Sequence, residues 1–418
     1  MDSVISVIQY IMNDLGAIVG LPIIIFIMGI IFRMKIGDAI KSGITVGIGF
    51  EGLSVIVNLL MSAINPVVEY YGKMGSGYSV ADLAFPAVGG AVWTFPFVAF
   101  AVIGIVLVNI ILIRLKVTNV MNVDIWNFMH FLVPGALTYV LFGHSMILAT
   151  IVSIIAGTVE LFFAKAMAGQ WQEAFECEGV TCSTLPSAFY YFISVGVNKI
   201  IDHIPGLRDV DVEMDTLADK IGIIGEPSII GLIIGTCLGL ASKQGFGPSI
   251  VIGMQIATCL VVLPKMVGIM MEGVTPLGNA ATAVMRKSVG EDTELLIGMD
   301  VAVGLGHPAS VTCTILAMPF VILLGLFVPG MKYFPIGVLG TVCYMSPGPV
   351  AASRGNMFRS LICTIVVVAY TVILANVFIP EATMMLESAG LGIKTAVTEA
   401  GFGGNLFNVA VELISRIF

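Results

Sequence analysis

The sequence predicts an all-α, polytopic membrane protein. Two compositional figures and the hydropathy carry that prediction: 58% of the 418 residues are hydrophobic and only 11% are charged, and mean hydropathy is +1.03. An ordinary soluble domain carries roughly 25% charged residues, so these few charges cannot cover a soluble surface of this size. A net charge of -8 with no basic run excludes nucleic-acid binders, and the apolar content excludes disordered and collagen-like chains. Long apolar blocks, rather than alternating segments of roughly ten residues, exclude a transmembrane barrel.

A membrane-spanning helix needs roughly 20 mostly apolar residues. Such stretches recur at 15–32, 83–113, 131–159, 244–264, 301–331, 333–353 and 360–380, and 43–68 is interrupted by Glu51 alone. The longest blocks exceed one span, so each is a span plus a re-entrant piece, or two spans joined tightly. The opening MDSVISVIQY has no basic region before its apolar stretch, so no cleavable signal peptide is expected. Cys237, Cys259, Cys313, Cys343 and Cys363 lie in apolar stretches and read as packing residues. Cys177 and Cys182, in a polar stretch, read as free thiols.

With eleven spans and the first running inward, 15 Lys and Arg fall on the inner side and 4 on the outer side. The positive-inside rule then places the N-terminus outside and the C-terminus on the cytoplasmic side. Segment 164–221 is the long polar interruption, with nine acids and four bases. It divides the chain into a first transmembrane repeat (1–163), an acidic cytoplasmic linker (164–221), a second repeat (222–380) and a C-terminal segment with a last helix (381–418). IVGLPIIIFIMG (18–29) overlays IIGEPSIIGLIIG (223–235), and DLAFPAVGGAVWT (82–94) overlays DVAVGLGHPASVT (300–312). Five spans in the first half invert the second, the plan of transporters whose site lies where broken helices meet near the midplane.

Ionisable groups inside apolar stretches are costly, so each is a functional candidate. Glu226 sits at a Gly-Glu-Pro break, either as an acceptor for substrate hydroxyls or as a helix-start acid favoured by the macrodipole. Asp300 and His307 flank VAVGLG in GMDVAVGLGHPAS, whose three glycines and proline argue against regular helix. An imidazole both donates and accepts, which suits a polyol; Asp300 reads equally as a cap. NVDIWNFMH brings Asn122, Asp124, Trp126, Asn127 and His130 together, the carboxylate-amide-aromatic set that binds sugars. Trp126 reads as an interfacial residue. Glu51 can bind substrate, couple a proton or lie buried and neutral. Asn356 and Arg359, in RGNMFRS, stand roughly opposite NVDIWN in the repeat overlay. Arg359 either snorkels to the inner surface or offers a fork to a phosphorylated product. There is no GxxxxGK[ST] and no HExxH, so no nucleotide module, metal site or other cofactor is expected.

Together NVDIWN, GFGP, IIGEPSIIGLIIG, LPKMVGIMMEGVTP, LIGMDVAVGLGHPA and RGNMFRSLI resemble the enzyme IIC membrane component of the galactitol family of the bacterial phosphoenolpyruvate-dependent sugar phosphotransferase system. The likeness runs in order from about Gly16 to about Ile379. The resemblance implies a permease that binds an external polyol or sugar and carries it inward by alternating access. A separate IIB subunit, supplied by IIA upstream, then phosphorylates the sugar. It also implies a homodimer with eleven spans per protomer, two inverted five-span repeats and re-entrant hairpins. Asp124, Asn127, Glu226, Asp300, His307 and Asn356 fall on family motif positions. Glu51 and the apolar first hairpin depart from galactitol carriers, so another sugar alcohol or a sugar stays open. The alternatives are a proton- or cation-coupled secondary transporter, which Glu51, Glu226 and Asp300 would serve, and a membrane-embedded enzyme. The latter is disfavoured because no nucleophile-base set emerges.

Overall fold

The computed structural model describes residues 16–74, 78–83, 85–122, 124, 126–210, 227–289, 295–390, 393 and 395–417. Helix dominates it, because helix satisfies every backbone N–H and C=O within its own segment where no water is available. Among the described residues, four helical stretches are long and apolar enough to cross a membrane: Ile36–Val67, Met146–Phe175, Pro308–Phe327 and Met357–Val377. Shorter apolar helices accompany them.

Two helical hairpins share one construction. The first joins α1 (Gly16–Ile31) to α2 (Ile36–Met74); the second joins α8 (Pro227–Ala241) to α9 (Phe246–Val289). Each turns on a basic residue in left-handed conformation, Arg33 at φ 61° and Lys243 at φ 57°. Each closes through glycine. A Cβ on Gly43 would lie 2.6 Å from Pro22 O, and one on Gly253 would lie 2.5 Å from Leu232 O. Gly29 meets Ala39 and Gly239 meets Ser249 in the same way. Arg33 and Lys243, Pro22 and Leu232, Gly29 and Gly239, Ala39 and Ser249, and Gly43 and Gly253 are all 210 positions apart. The sequence overlay puts the offset at 205–206, slipped by about one helical turn; such a slip keeps each apolar face in place, so hydropathy alone does not reject it.

The two long helices, α2 and α9, pack antiparallel with small residues at the seam, as apolar helices do where backbones must approach. Ser42 donates to the carbonyl of Gly273, Gly49 abuts Met270 and Gly52 abuts Met266. At 39 and 44 residues these helices run to roughly 58 and 66 Å, against a hydrocarbon core of about 30 Å.

The long apolar blocks resolve into pieces. After β1 (Ala81–Asp82), block 83–113 becomes α3 (Phe85–Val92) and α4 (Val98–Arg114). β2 (Val120–Asn122) leads into α5 (Trp126–Leu141), then α6 (Met146–Phe175). β4 (Leu296–Met299) leads into α10 (Ala302–Leu305) and α11 (Pro308–Phe327). Block 333–353 becomes α12 (Ile336–Thr341), a 3-10 turn and α13 (Pro347–Ala352). The chain ends with α14 (Met357–Val377), α15 (Ile379–Ser388), β5 (Val397–Thr398), α16 (Ala400–Gly404) and α17 (Leu406–Ser415).

Segment 164–221 holds more than connector. α6 continues to Phe175, β3 (Val180–Cys182) follows, and α7 (Leu185–Asp202) comes next. Trp171, Cys177 and Cys182 are buried there, and all seven cysteines are free. The acids at 173–178 lower the local hydropathy and hide a helix end and a strand whose inward faces are apolar.

The strands form two small parallel sheets. β1 pairs with β5, with Asp82 opposite Thr398. β2, β4 and β3 form the other in that order. The first strand after each long hairpin, β1 or β4, thus pairs with the last strand of the other half of the chain, β5 or β3. In those last strands Thr181 Oγ1 donates to Ala164 O at 2.7 Å and Thr398 Oγ1 to Ala375 O at 2.8 Å. Ser145 and Asn356 likewise cap the helices, α6 and α14, that carry these carbonyls.

Candidate functional site

Parallel pairing puts the C-terminal ends of β2, β4 and β3 along one edge, and each strand end passes directly toward a helix N-terminus. Asp124 and Asn127 follow β2, Ser183 and Thr184 follow β3, and Asp300 follows β4. Ligands of parallel sheets collect at such edges, where backbone N–H groups and helix dipoles converge.

The five side chains form one network. Asp124 Oδ1 accepts from the Trp126 N–H at 3.0 Å, and Oδ2 accepts from the Asp300 N–H at 3.2 Å. Asn127 Nδ2 donates to Ser183 Oγ at 2.7 Å, and its Oδ1 accepts from Thr184 Oγ1 at 2.9 Å. Thr184 Oγ1 accepts from the Val301 N–H at 2.9 Å and also reaches Asp300 Oδ2 at 3.3 Å. Its single proton therefore serves either Asn127 or Asp300 at one moment. Asp300 Oδ1 accepts from the Ala302 N–H at 2.8 Å, and Asn122 Oδ1 accepts from the Asp124 N–H at 3.1 Å. Asp124, Asn127, Ser183 and Thr184 are buried, whereas Asp300 is half-buried.

Two donors at this edge are left over. Asn122 Nδ2 and Trp126 Nε1 are buried without a hydrogen-bond partner. Buried polar atoms in that state call for an explanation, and a hydroxyl-bearing ligand is one. Among the described residues no set of three His, Cys, Asp or Glu side chains is placed to hold a metal ion.

The other sheet repeats the motif in acidic form. Asp82 Oδ2 accepts from the Gly337 N–H at 2.7 Å, and Asp82 Oδ1 is buried without a partner. Glu399, buried, follows β5 and caps α16 through Gly401 N–H at 2.6 Å. Phe85, at the start of α3, stacks on His130 of α5 with centroids 4.5 Å apart and planes 11° apart.

The family model described as the PTS system sugar-specific permease component, EIIC-GAT, matches residues 10–405. The chain belongs to this family. It is 32% identical over 389 residues to the PTS system galactitol-specific EIIC component of Escherichia coli strain K12, covering 92% of this chain and 85% of that one. The same component of Escherichia coli O157:H7 gives the same figures. A putative permease IIC component of strain K12 is 28% identical over 411 residues, 97% of this chain and 93% of that one. The protein is thus a membrane-embedded, sugar-specific permease component of a phosphotransferase system, and the secondary-transporter alternative is not favoured.

Of the residues singled out in the permease sequence, Asp124, Asn127 and Asp300 meet in the strand-end network. His130 lies on α5 one turn beyond Trp126, in the Phe85 stack. His307 caps α11, its Nδ1 accepting from the Ala309 N–H at 3.2 Å, with its ring edge-on to Phe175. Asn356 caps α14, accepting from the Arg359 N–H at 3.0 Å, and donates to Val210 O at 3.0 Å in the segment after α7. Arg359 is engaged there too, by Asp202 at 2.7 Å and Arg208 O at 3.0 Å, which occupies its fork. Glu51 is half-buried on α2 with Oε2 unpartnered. Glu226 lies outside the described residues. Sequence reasoning missed Ser183, Thr184 and Glu399. A Ser-Thr pair just before Leu-Pro is a helix-start signal, and it stands in the sequence as STLP at 183–186.

Proposed function

We propose that the permease carries galactitol or a closely related polyol, and that the strand-end network is where the polyol is held. The observation that carries this reading is the convergence of Asp124, Asn127, Thr184 and Asp300 from three chain segments up to 176 residues apart, beside two unpartnered donors. Carboxylate and amide oxygens accept hydroxyl protons while Asn122 Nδ2 and Trp126 Nε1 donate to hydroxyl oxygens, which matches a ligand whose every polar group does both. The likeness to galactitol-specific components supports the polyol class. His130 on its aromatic partner, His307, Glu51, Glu226 and Asn356 complete the proposed binding set across the transport cycle.

Transport proceeds by alternating access in an inner membrane, with the N-terminus outside and the C-terminus in the cytoplasm. A cytoplasmic IIB subunit, recharged by IIA, phosphorylates the polyol as it arrives; the permease supplies binding and passage, and needs no cofactor. The reading includes eleven spans in two inverted repeats, 1–163 and 222–380, around the 164–221 connector, with 381–418 closing the chain and the protomer acting as a homodimer. The repeat reading is supported by the matched hairpins 210 residues apart, by the exchanged strand pairs β1–β5 and β4–β3, and by the matched threonines Thr181 and Thr398. The test is titration calorimetry of purified permease with galactitol, beside Asp124→Asn and Asp300→Asn. Saturable binding lost in both variants supports the site; undiminished affinity in either contradicts it.

A further inference from the structure

Glu160 stands in the middle of α6, and α6 is one of the helices long and apolar enough to cross a membrane. It is 0% exposed, and neither carboxylate oxygen has a hydrogen-bond partner. Its neighbours Leu161 and Ala164 pack on Val120 and Leu296 of the three-stranded sheet. α6 passes through a turn at 176–179, and β3 returns alongside it in register, Thr181 Oγ1 bonding Ala164 O. One helical turn before Ala164 is therefore level with the residues just after Thr181. Glu160 shares the face of α6 that carries Ala164, and so faces the end of β3 at Cys182.

An apolar side chain would pack at position 160 at lower cost, since an unpaired buried carboxylate loses its hydration without compensation. Violations of that kind are expected at functional sites. The other half of the chain has a counterpart. Thr371, 211 positions on and one turn before Ala375, is also 0% exposed, and there the acid is on the strand end instead: Glu399 lies 217 positions after Cys182. Each half thus sets one carboxylate where a long helix meets the end of a Val-Thr strand.

We propose that Glu160 is a further substrate-specificity residue of the strand-end centre, its two carboxylate oxygens accepting hydrogen bonds from hydroxyls of the bound polyol. This rests on the reading that the strand-end centre holds the substrate. Loading requires α6 and the 183–184 turn to part, because the carboxylate is enclosed in the present state.

The experiment measures two quantities on purified full-length Glu160→Met, Glu160→Gln and Asp124→Asn: melting temperature without ligand, and affinity for galactitol, mannitol and sorbitol. Glu160→Met is expected to melt no lower than wild type yet bind the best polyol at least about tenfold more weakly, since the hydrogen bonds from the polyol hydroxyls to both Glu160 oxygens are lost. Glu160→Gln, which keeps one acceptor, is expected to fall between. Wild-type affinity in Glu160→Met overturns the proposal and leaves only a buried-water or packing role. Should Glu160→Met not fold, wild-type affinity in Glu160→Gln overturns it instead. If Asp124→Asn loses binding while both Glu160 variants keep it, Glu160 alone is misassigned. If the wild type binds none of the three polyols, the substrate reading fails and this inference with it.

Discussion

Asp124 and Asp300, 176 residues apart in the chain, are joined directly: the backbone N–H of Asp300 donates to Asp124 Oδ2 at 3.2 Å. The bond crosses from β2 to β4 and so ties the two halves of the permease at the point where the substrate is proposed to sit.

Asp124→Asn is expected to weaken this tie as well as binding. Both carboxylate oxygens accept backbone N–H groups, from Trp126 and Asp300. An amide offers only one acceptor and turns its NH2 toward the other donor. A loss of about 1–3 kcal/mol is expected, read as a lower melting temperature together with a weaker polyol affinity. An unchanged melting temperature would show that the bond to Asp300 carries no stability.

Thr184→Val removes the hydroxyl that links Asn127, Asp300 and the Val301 N–H. The Val301 N–H loses its acceptor, and whichever of Asn127 Oδ1 and Asp300 Oδ2 takes the hydroxyl proton loses its donor, at a cost of roughly 1–3 kcal/mol. Thr184→Ser restores the hydroxyl and is expected to recover most of both stability and polyol affinity. Thermal unfolding and calorimetry of the pair check this; equal behaviour of the two variants would remove Thr184 from the site.

The glycine contacts of the hairpins give a matched pair of expectations. Gly43→Val and Gly253→Val each drive a side chain into a backbone carbonyl, of Pro22 and Leu232 respectively. Overpacking against backbone costs typically about 1–3 kcal/mol, so both variants are expected to melt lower and by similar amounts. Gly37→Ala and Gly247→Ala, where an added Cβ meets nothing within 4 Å, are the controls and are expected to melt like wild type. A large difference between the Gly43 and Gly253 variants would argue against equivalence of the hairpins.

Much of this was legible in the residues. The shortage of charge fixed the class, the Gly- and Pro-rich pieces 82–92 and 300–310 marked where helices break, and NVDIWN and the acid of GMD pointed to three members of the network. STLP marks a helix start, but the place of Ser183 and Thr184 in the network was not legible, because a three-residue strand carries almost no pattern and its partner residues lie 117 positions away. The acids around it made the stretch read as connector. Arg359 read as a snorkelling side chain or an open fork because its partner Asp202 is distant in sequence. The overlay offset of 205–206 missed the 210 of the matched hairpin contacts because glycine-rich apolar helices look alike after a shift of one turn.

The most direct measurement places purified permease in vesicles loaded with its phosphorylated IIB partner and supplies labelled galactitol outside. The expected result is galactitol phosphate inside, formed only when IIB is present and lost in Asp124→Asn and Asp300→Asn. Accumulation of free galactitol against its gradient, driven by a proton gradient without IIB, would contradict it.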